Sequence, residues 1–373
     1  MRLFGRLSLR HLWVHGLRRV RDEYEETQDD IARGSPVLRT SAVVVGSYLV
    51  VAIVLGIYWS ISPAVLPVKI AIQQVLFEQD ISLNGNGSNT TVPAGVATTA
   101  TLIAVMETLW QKPGGYLTND LLPPGIWLDN MPHWELGVIL QVRDMIHMLR
   151  VSFSQSATNM IVDNDLQKAE VRLNFSTKSW IFPATESQYT AGVEHLKKYL
   201  LHLSQPDNTG TYFYADAQHL NDYLAGVEQR LKNLSQRLTA SVGPVINTDN
   251  AAMPVTQTNS NGLYIKTPWR QLDDVFFEAR GSSWALIALL QGLEIDFASV
   301  LMEKDAQASY EQIIRELEAT QQTVYSPVIL NGDGFGFVVN HSLVMSSYIS
   351  RTQAAIADCR RLLLKHSLPA PSF

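Results

Sequence analysis

The sequence predicts an all-α protein: one N-terminal transmembrane helix followed by an extracytoplasmic α-helical bundle. Three observations carry that expectation. Twenty residues from Ala42 to Ile61 hold no charge. Downstream, Leu220, Leu224, Val227, Leu231, Leu234 and Leu238 recur at steps of 4, 3, 4, 3 and 4, a heptad seam. No stretch alternates apolar and polar residues convincingly, as a half-buried strand must.

The uncharged run extends about 30 Å as a helix, the thickness of a hydrocarbon core. A helix satisfies its own backbone groups in lipid, so a single span over 41–62 is the natural reading. Residues 1–40 carry eight arginines, from Arg2 to Arg39, and the next basic residues after the span are Lys69 and Lys112. The excess of positive charge on one side orients the N-terminus to the cytoplasm and the rest outside, which in a Gram-negative cell is the periplasm. Tyr58 and Trp59 fall where an interfacial aromatic anchor belongs. A cleaved signal peptide fits less well: about 40 residues precede the apolar run, and Pro63 follows the small residues Ser60 and Ser62. Residues 1–40 interleave Leu3, Phe4, Leu7, Trp13, Leu17 and Val20 with arginines. This suits a basic amphipathic helix on the inner leaflet, or a tail that only fixes topology.

Beyond residue 62 stand 21 basic and 29 acidic residues, a net charge near −8. Such a surface excludes nucleic acid as partner, since phosphate binding needs basic charge. The only cysteine, Cys359, is expected to be a buried apolar residue, and no intramolecular disulfide can form.

Along 63–242, a short amphipathic piece (Val68 to Phe77) precedes the Asn84–Thr91 turn cluster and a helix from Thr98 to Gln111. Four prolines and three glycines then argue against regular structure through 112–133. Helical periodicity resumes over Trp134–Arg150, with Leu136, Ile139, Leu140, Met145 and Leu149 as core candidates. Asp163 is placed to cap a helix through Leu166 and Ala169, and Pro183 to Leu203 reads as another. The heptad seam predicts a coiled-coil-like helix pair, within the bundle or between subunits. Residues 243–267 form a linker or long loop. Region 268–373 reads helical to about Thr323, with Phe276, Phe277, Trp284, Ile287, Leu290, Phe297, Leu301, Ile313 and Leu317 in the core. Glu294 and Asp296 interrupt its apolar stretch and argue against a second span. A tight Asn331–Gly336 connection leads to a last helix over Phe337–Leu364.

The Pro/Gly-rich segment is where chemistry could reside. Asp120, Asp129 and Glu135 are the candidate catalytic carboxylates. Tyr116, Asn119, Asp120, Trp127, Asp129, Asn130, Trp134, Glu135 and Arg143 form the candidate binding set. Carboxylates beside His133 could run acid–base chemistry, but His133-Trp-Glu135 lacks the i,i+4 spacing of helical metal ligands. Asp129-Asn130 also serve as turn formers capping the next helix. Asp144 and His147 share a helix face as an ordinary surface pair. His195 and His202, two turns apart along one face, match no metal-ligand pattern and are expected at solvent or in a groove. Ser152, Ser154 and Ser156 have no nucleophile context, and Gly332, Gly334 and Gly336 lack the strand a phosphate loop requires. No metal and no cofactor are expected.

Tyr58-Trp59-Ser60 after the span, Gly114–Asp120, Pro123–Gly125, Leu128–Pro132, Trp134-Glu135 and Arg143-Asp144 together resemble an uncharacterised bacterial family, domain of unknown function 2333. Ser152–Ser156 and the Trp180, Pro183, Glu186, Tyr189 set are similar to it too. The resemblance implies a single-pass, inner-membrane-associated protein with an extracytoplasmic helical domain, and it implies no reaction. The anchor, the heptad seam and the absence of a convincing catalytic constellation make the expected function a scaffold or accessory subunit of an envelope complex, with an envelope protein or a second copy as partner. Ala52 and Gly56 in the span would permit close helix packing. The alternatives are an envelope hydrolase acting on cell-wall or lipid-linked substrate through the acidic loop, and a helical module for an apolar ligand.

Overall fold

The computed structural model describes residues 36–81, 93–155, 162–205, 209–240, 267–268, 271–326, 328–332 and 337–365. The basic segment before residue 36, the Asn84–Thr91 cluster, Ser156, Gly334, Gly336 and nearly all of the 243–267 linker lie outside the described residues.

Among the described residues the secondary structure is helical throughout, save one isolated bridge between Asn331 and Asn340. The chain divides into two compact units, Met1–Ile57 and Tyr58–Phe373. The first ends within α1 (Pro36–Trp59), so Tyr58 and Trp59 belong to the second; Arg39–Trp59 is the one described stretch of helix long and apolar enough to cross a membrane. Val43, Val50, Ile53, Val54 and Ile57 are all exposed. A helix that is apolar nearly all round and faces outward is one that lipid could solvate.

The second unit is a helical bundle built from α2 (Val68–Glu78), α3 (Val96–Gln111), α4 (Asn130–Met148), α5 (Asn164–Leu173), α6 (Thr185–Ser204), α7 (Ala217–Thr239), α8 (Leu272–Asp296), α9 (Ala298–Glu303), α10 (Gln307–Ala319) and α11 (His341–Leu363). Its axis is α8, buried on most faces, and α4 makes the most extensive contact with it. That contact is close because glycines face it. A Cβ on Gly281 would strike the Trp134 carbonyl, and one on Gly137 would strike the Glu278 carbonyl. Trp134 and Trp284 fill the same layer with ring centroids 5.1 Å apart. On one side α3 packs on α8, α2 and α6 pack on α3, and α5 packs on α6. On the other, α7 pairs with α11, and α10 closes against α11 and α8.

The heptad seam finds its partner within the chain. All six seam residues are buried, and Ser235 of α7 meets Ser346 (2.9 Å) and Ser350 (3.1 Å) of α11. Helices α2, α3 and α6 begin and end within two residues or so of their predicted bounds, and Asp163 caps α5, which runs through Leu166 and Ala169 as expected, by accepting from the amides of Asp165 and Leu166. Cys359 is fully buried, and burial pushes its thiol up to about 12.

Three expectations are corrected. Helix α4 starts at Asn130, because Pro132 lies in the first turn, where a missing N–H leaves no hydrogen bond unmade. Its buried face runs through Trp134, Val138, Ile139, Val142, Met145 and Ile146, leaving Leu136 and Leu140 half-buried; past Met148 it widens into a π turn, Leu149–Phe153. The segment 268–323 is three helices. Asp305 takes φ 51°, and Ala306 and Asp305 donate back to the Leu301 and Met302 carbonyls, a Schellman stop that turns the chain. Phe277 is only partly buried.

Candidate functional site

The connection from α3 to α4 is organised around one buried carboxylate. Glu135, on the first turns of α4, is wholly buried and receives the Lys112 ammonium at 2.7 Å. It also accepts from the Leu117 amide (2.9 Å), the Thr118 amide (2.9 Å) and the Thr118 hydroxyl (2.5 Å). Lys112 turns its remaining reach to the Gly115 carbonyl. Burial pushes the Glu135 carboxyl above its usual range, while Lys112, Thr118 and the Leu117 amide pull it back. The loop folds around this ion pair because Gly114 and Gly115 take positive φ, 83° and 67°, and Gly114 lies flat beneath the Trp59 indole.

The other candidate residues divide by direction. Tyr116 is buried edge-on to Tyr189, and its hydroxyl donates to the Thr177 carbonyl at 2.9 Å. Asn119 donates to the Ser179 carbonyl (2.9 Å) and to Glu186 (2.8 Å). Arg143 donates to the Leu173 and Phe175 carbonyls and to the Tyr189 hydroxyl, closing the C-terminal end of α5. Trp134 points into the core and Asn130 is part-buried. Asp120 is part-buried against Gly125; burial, then nearby Glu186, raises its carboxyl, opposed by Lys112. Asp129 occupies the N-cap position of α4 without a side-chain cap bond, and both it and Trp127 are exposed. The structure thus gathers Tyr116, Asn119, Glu135 and Arg143 into internal bracing. It does not bring the three carboxylates to a shared cleft: Glu135 is sealed, Asp129 is outside and Asp120 lies between.

His133 accompanies this frame, its Nδ1 2.8 Å from the Asp129 carbonyl oxygen and 3.1 Å from Asp274. Asp144 bonds Arg230 of α7, and His147 bonds Glu170, so the predicted surface pair ties two different helices.

The histidines of α6 are half-exposed, and both also meet acids. His195 Nδ1 lies 2.8 Å from Asp165, and His202 Nδ1 lies 2.7 Å from Asp163, which also accepts from Thr211 at 3.0 Å. Burial works to raise the Asp163 carboxyl, but the donors from His202, Leu166 and Thr211 outweigh it and hold it below the ordinary range. Asp163, Asp165 and His202 place ligand-type atoms within 4.8 Å of one another, a donor set a divalent cation could use. A polar cavity of about 210 Å³, lined by Ser154, Asn164, Thr209 and Thr211 among others, adjoins Asp163. Two acids at the start of one helix and two histidines a heptad apart on the next were the only trace in sequence. Nothing local says that the two helices face each other.

Across residues 32–366 the chain matches the family described as an uncharacterized protein conserved in bacteria (DUF2333). The chain belongs to this family. No curated protein and no solved structure matches it. In this DUF2333 chain the bracing loop has a second face. Leu121, Leu122, Ile126 and Trp127 are exposed on it, and Trp180, Ile181 and Phe182 are exposed on the α5–α6 loop to which Asn119 and Tyr116 bind.

Proposed function

We propose that this protein is a single-pass inner-membrane protein whose helical bundle stands in the periplasm and acts, without catalysis, as a scaffold or accessory subunit of an envelope complex. One observation carries the reading: Lys112, Tyr116, Asn119 and Glu135 are turned inward as bracing, while Leu121, Leu122, Ile126 and Trp127 face out. A hydrolase working through Asp120, Asp129 and Glu135 needs carboxylates that reach a common substrate, and a sealed Glu135 has no such reach. The arginine-rich stretch before α1 supports the orientation. The heptad seam is spent inside the chain, so association falls to other surfaces.

The test is chemical crosslinking in intact cells, with a C-terminal reporter active only outside the cytoplasm. A working reporter and a discrete crosslinked species above the monomer mass are the expected results. A protein that sediments as a monomer, yields no envelope partner and carries a cytoplasmic C-terminus overturns the reading.

A further inference from the structure

We propose that two loops at one end of the bundle, 119–127 and 177–183, insert their apolar tips into the leaflet of the membrane at the Trp59 end of α1. The inference rests on reading α1 as a membrane span, and it holds for either orientation of the chain.

Four features place lipid there. The loops act as one body, because Tyr116 and Asn119 donate to the carbonyls of Thr177 and Ser179. Their tips are apolar and outward: Leu122 is 76% exposed and Phe182 is 92% exposed, with Trp127 and Trp180 also open. No charge interrupts 121–128 or 180–184. A soluble surface rarely groups such residues, and tryptophan and phenylalanine beside leucine suit the boundary between headgroups and acyl chains. The third feature is the tether. Trp59, the last residue of α1, stacks over Gly114 so closely that a Cβ there would lie 2.7 Å from the indole. The loop therefore starts at the level where the span ends. Fourth, the loop backbone is prepared for a poorly hydrated site. Ile126, Trp127 and Leu128 amides donate to Leu122, Pro124 and Gly125 carbonyls, and Pro123, Pro124 and Pro183 have no N–H to leave unpaired.

The test uses the full chain in phosphatidylcholine–phosphatidylglycerol vesicles, carrying one NBD fluorophore at a time through Leu122→Cys, Phe182→Cys, Val51→Cys or Met302→Cys. Cys359 is buried and escapes labelling. Probes at 122 and 182 should be quenched more by lipid with a nitroxide at acyl carbon 5 than at carbon 12, the probe at 51 in the reverse order. The probe at exposed Met302 should respond to aqueous iodide alone. Iodide quenching at 122 and 182 with lipid quenching at 51 overturns the loop insertion and leaves the span intact. Protection at 122 and 182 from both quenchers means that protein, a second copy or a partner, covers the tips, and overturns it equally. An unquenched probe at 51 removes the span, and the inference with it.

Discussion

Lys112 and Glu135 show what a single buried pair can decide. Each partner is hidden, so removing one leaves the other charged in a dry site, a loss on the order of 3–5 kcal/mol. Glu135→Ala should lower the free energy of unfolding, measured in urea, by that amount, and Lys112→Met/Glu135→Gln, which removes both charges, should be milder than Glu135→Ala. A Glu135→Gln protein of unchanged stability that lost an enzymatic activity would instead favour the hydrolase. Asp296 gives a pH prediction of definite sign. It accepts from the Thr98 amide (2.7 Å) and hydroxyl (2.6 Å) at the start of α3, yet burial raises its carboxyl to about 6 from an ordinary 3.8. A raised folded-state value means that the folded state prefers the protonated acid. Its contribution is therefore complete below about pH 4 and is lost as pH rises through about 6. Melting temperatures between those limits should fall with pH more steeply for the native chain than for Asp296→Asn, which cannot ionise.

Between helices, glycine position decides whether a methyl group hurts or helps. Gly281→Ala pushes a Cβ into the Trp134 backbone and must open the α4–α8 contact, the largest in the bundle, so a loss above about 2 kcal/mol is expected. Gly226, exposed on α7, has nothing within 4 Å of an added Cβ. Gly226→Ala should therefore stabilise by about 0.5–1 kcal/mol through helix propensity alone, and denaturant unfolding of the two variants should move in opposite directions. The same contrast explains what the sequence disclosed. Helices α3, α5, α6 and α7 were legible because caps, breakers and apolar periodicity are local signals. The Schellman stop at Asp305 was not, since it places a non-glycine residue at positive φ. Tyr116 and Asn119 stood out in a breaker-rich loop, and Glu135 and Arg143 in the helix after it, but their bracing role was hidden. For Tyr116 and Asn119 it depends on Thr177, Ser179 and Glu186, some sixty residues away along the chain. The acids that His195 and His202 meet were hidden for the same reason.

For the molecule as a whole, charge and hydrophobicity pull on the membrane in different ways, and a washing experiment separates them. Residues beyond 62 carry a net charge near −8, so the bundle is repelled by anionic lipid rather than held by it. On the proposed reading attachment comes from α1, whose Arg39–Trp59 stretch is long enough for a hydrocarbon core, aided by the apolar loops. Forces of that kind are not screened by salt. The full chain should therefore stay with the membrane pellet in 1 M sodium chloride and in carbonate at pH 11, where most lysines are neutral, and leave it only in detergent. Leu122→Asp/Phe182→Asp should leave that partition unchanged, because a span outweighs two loop tips. Release of the native chain by salt would mean that ionic contacts hold it, contradicting both the charge of the bundle and the span.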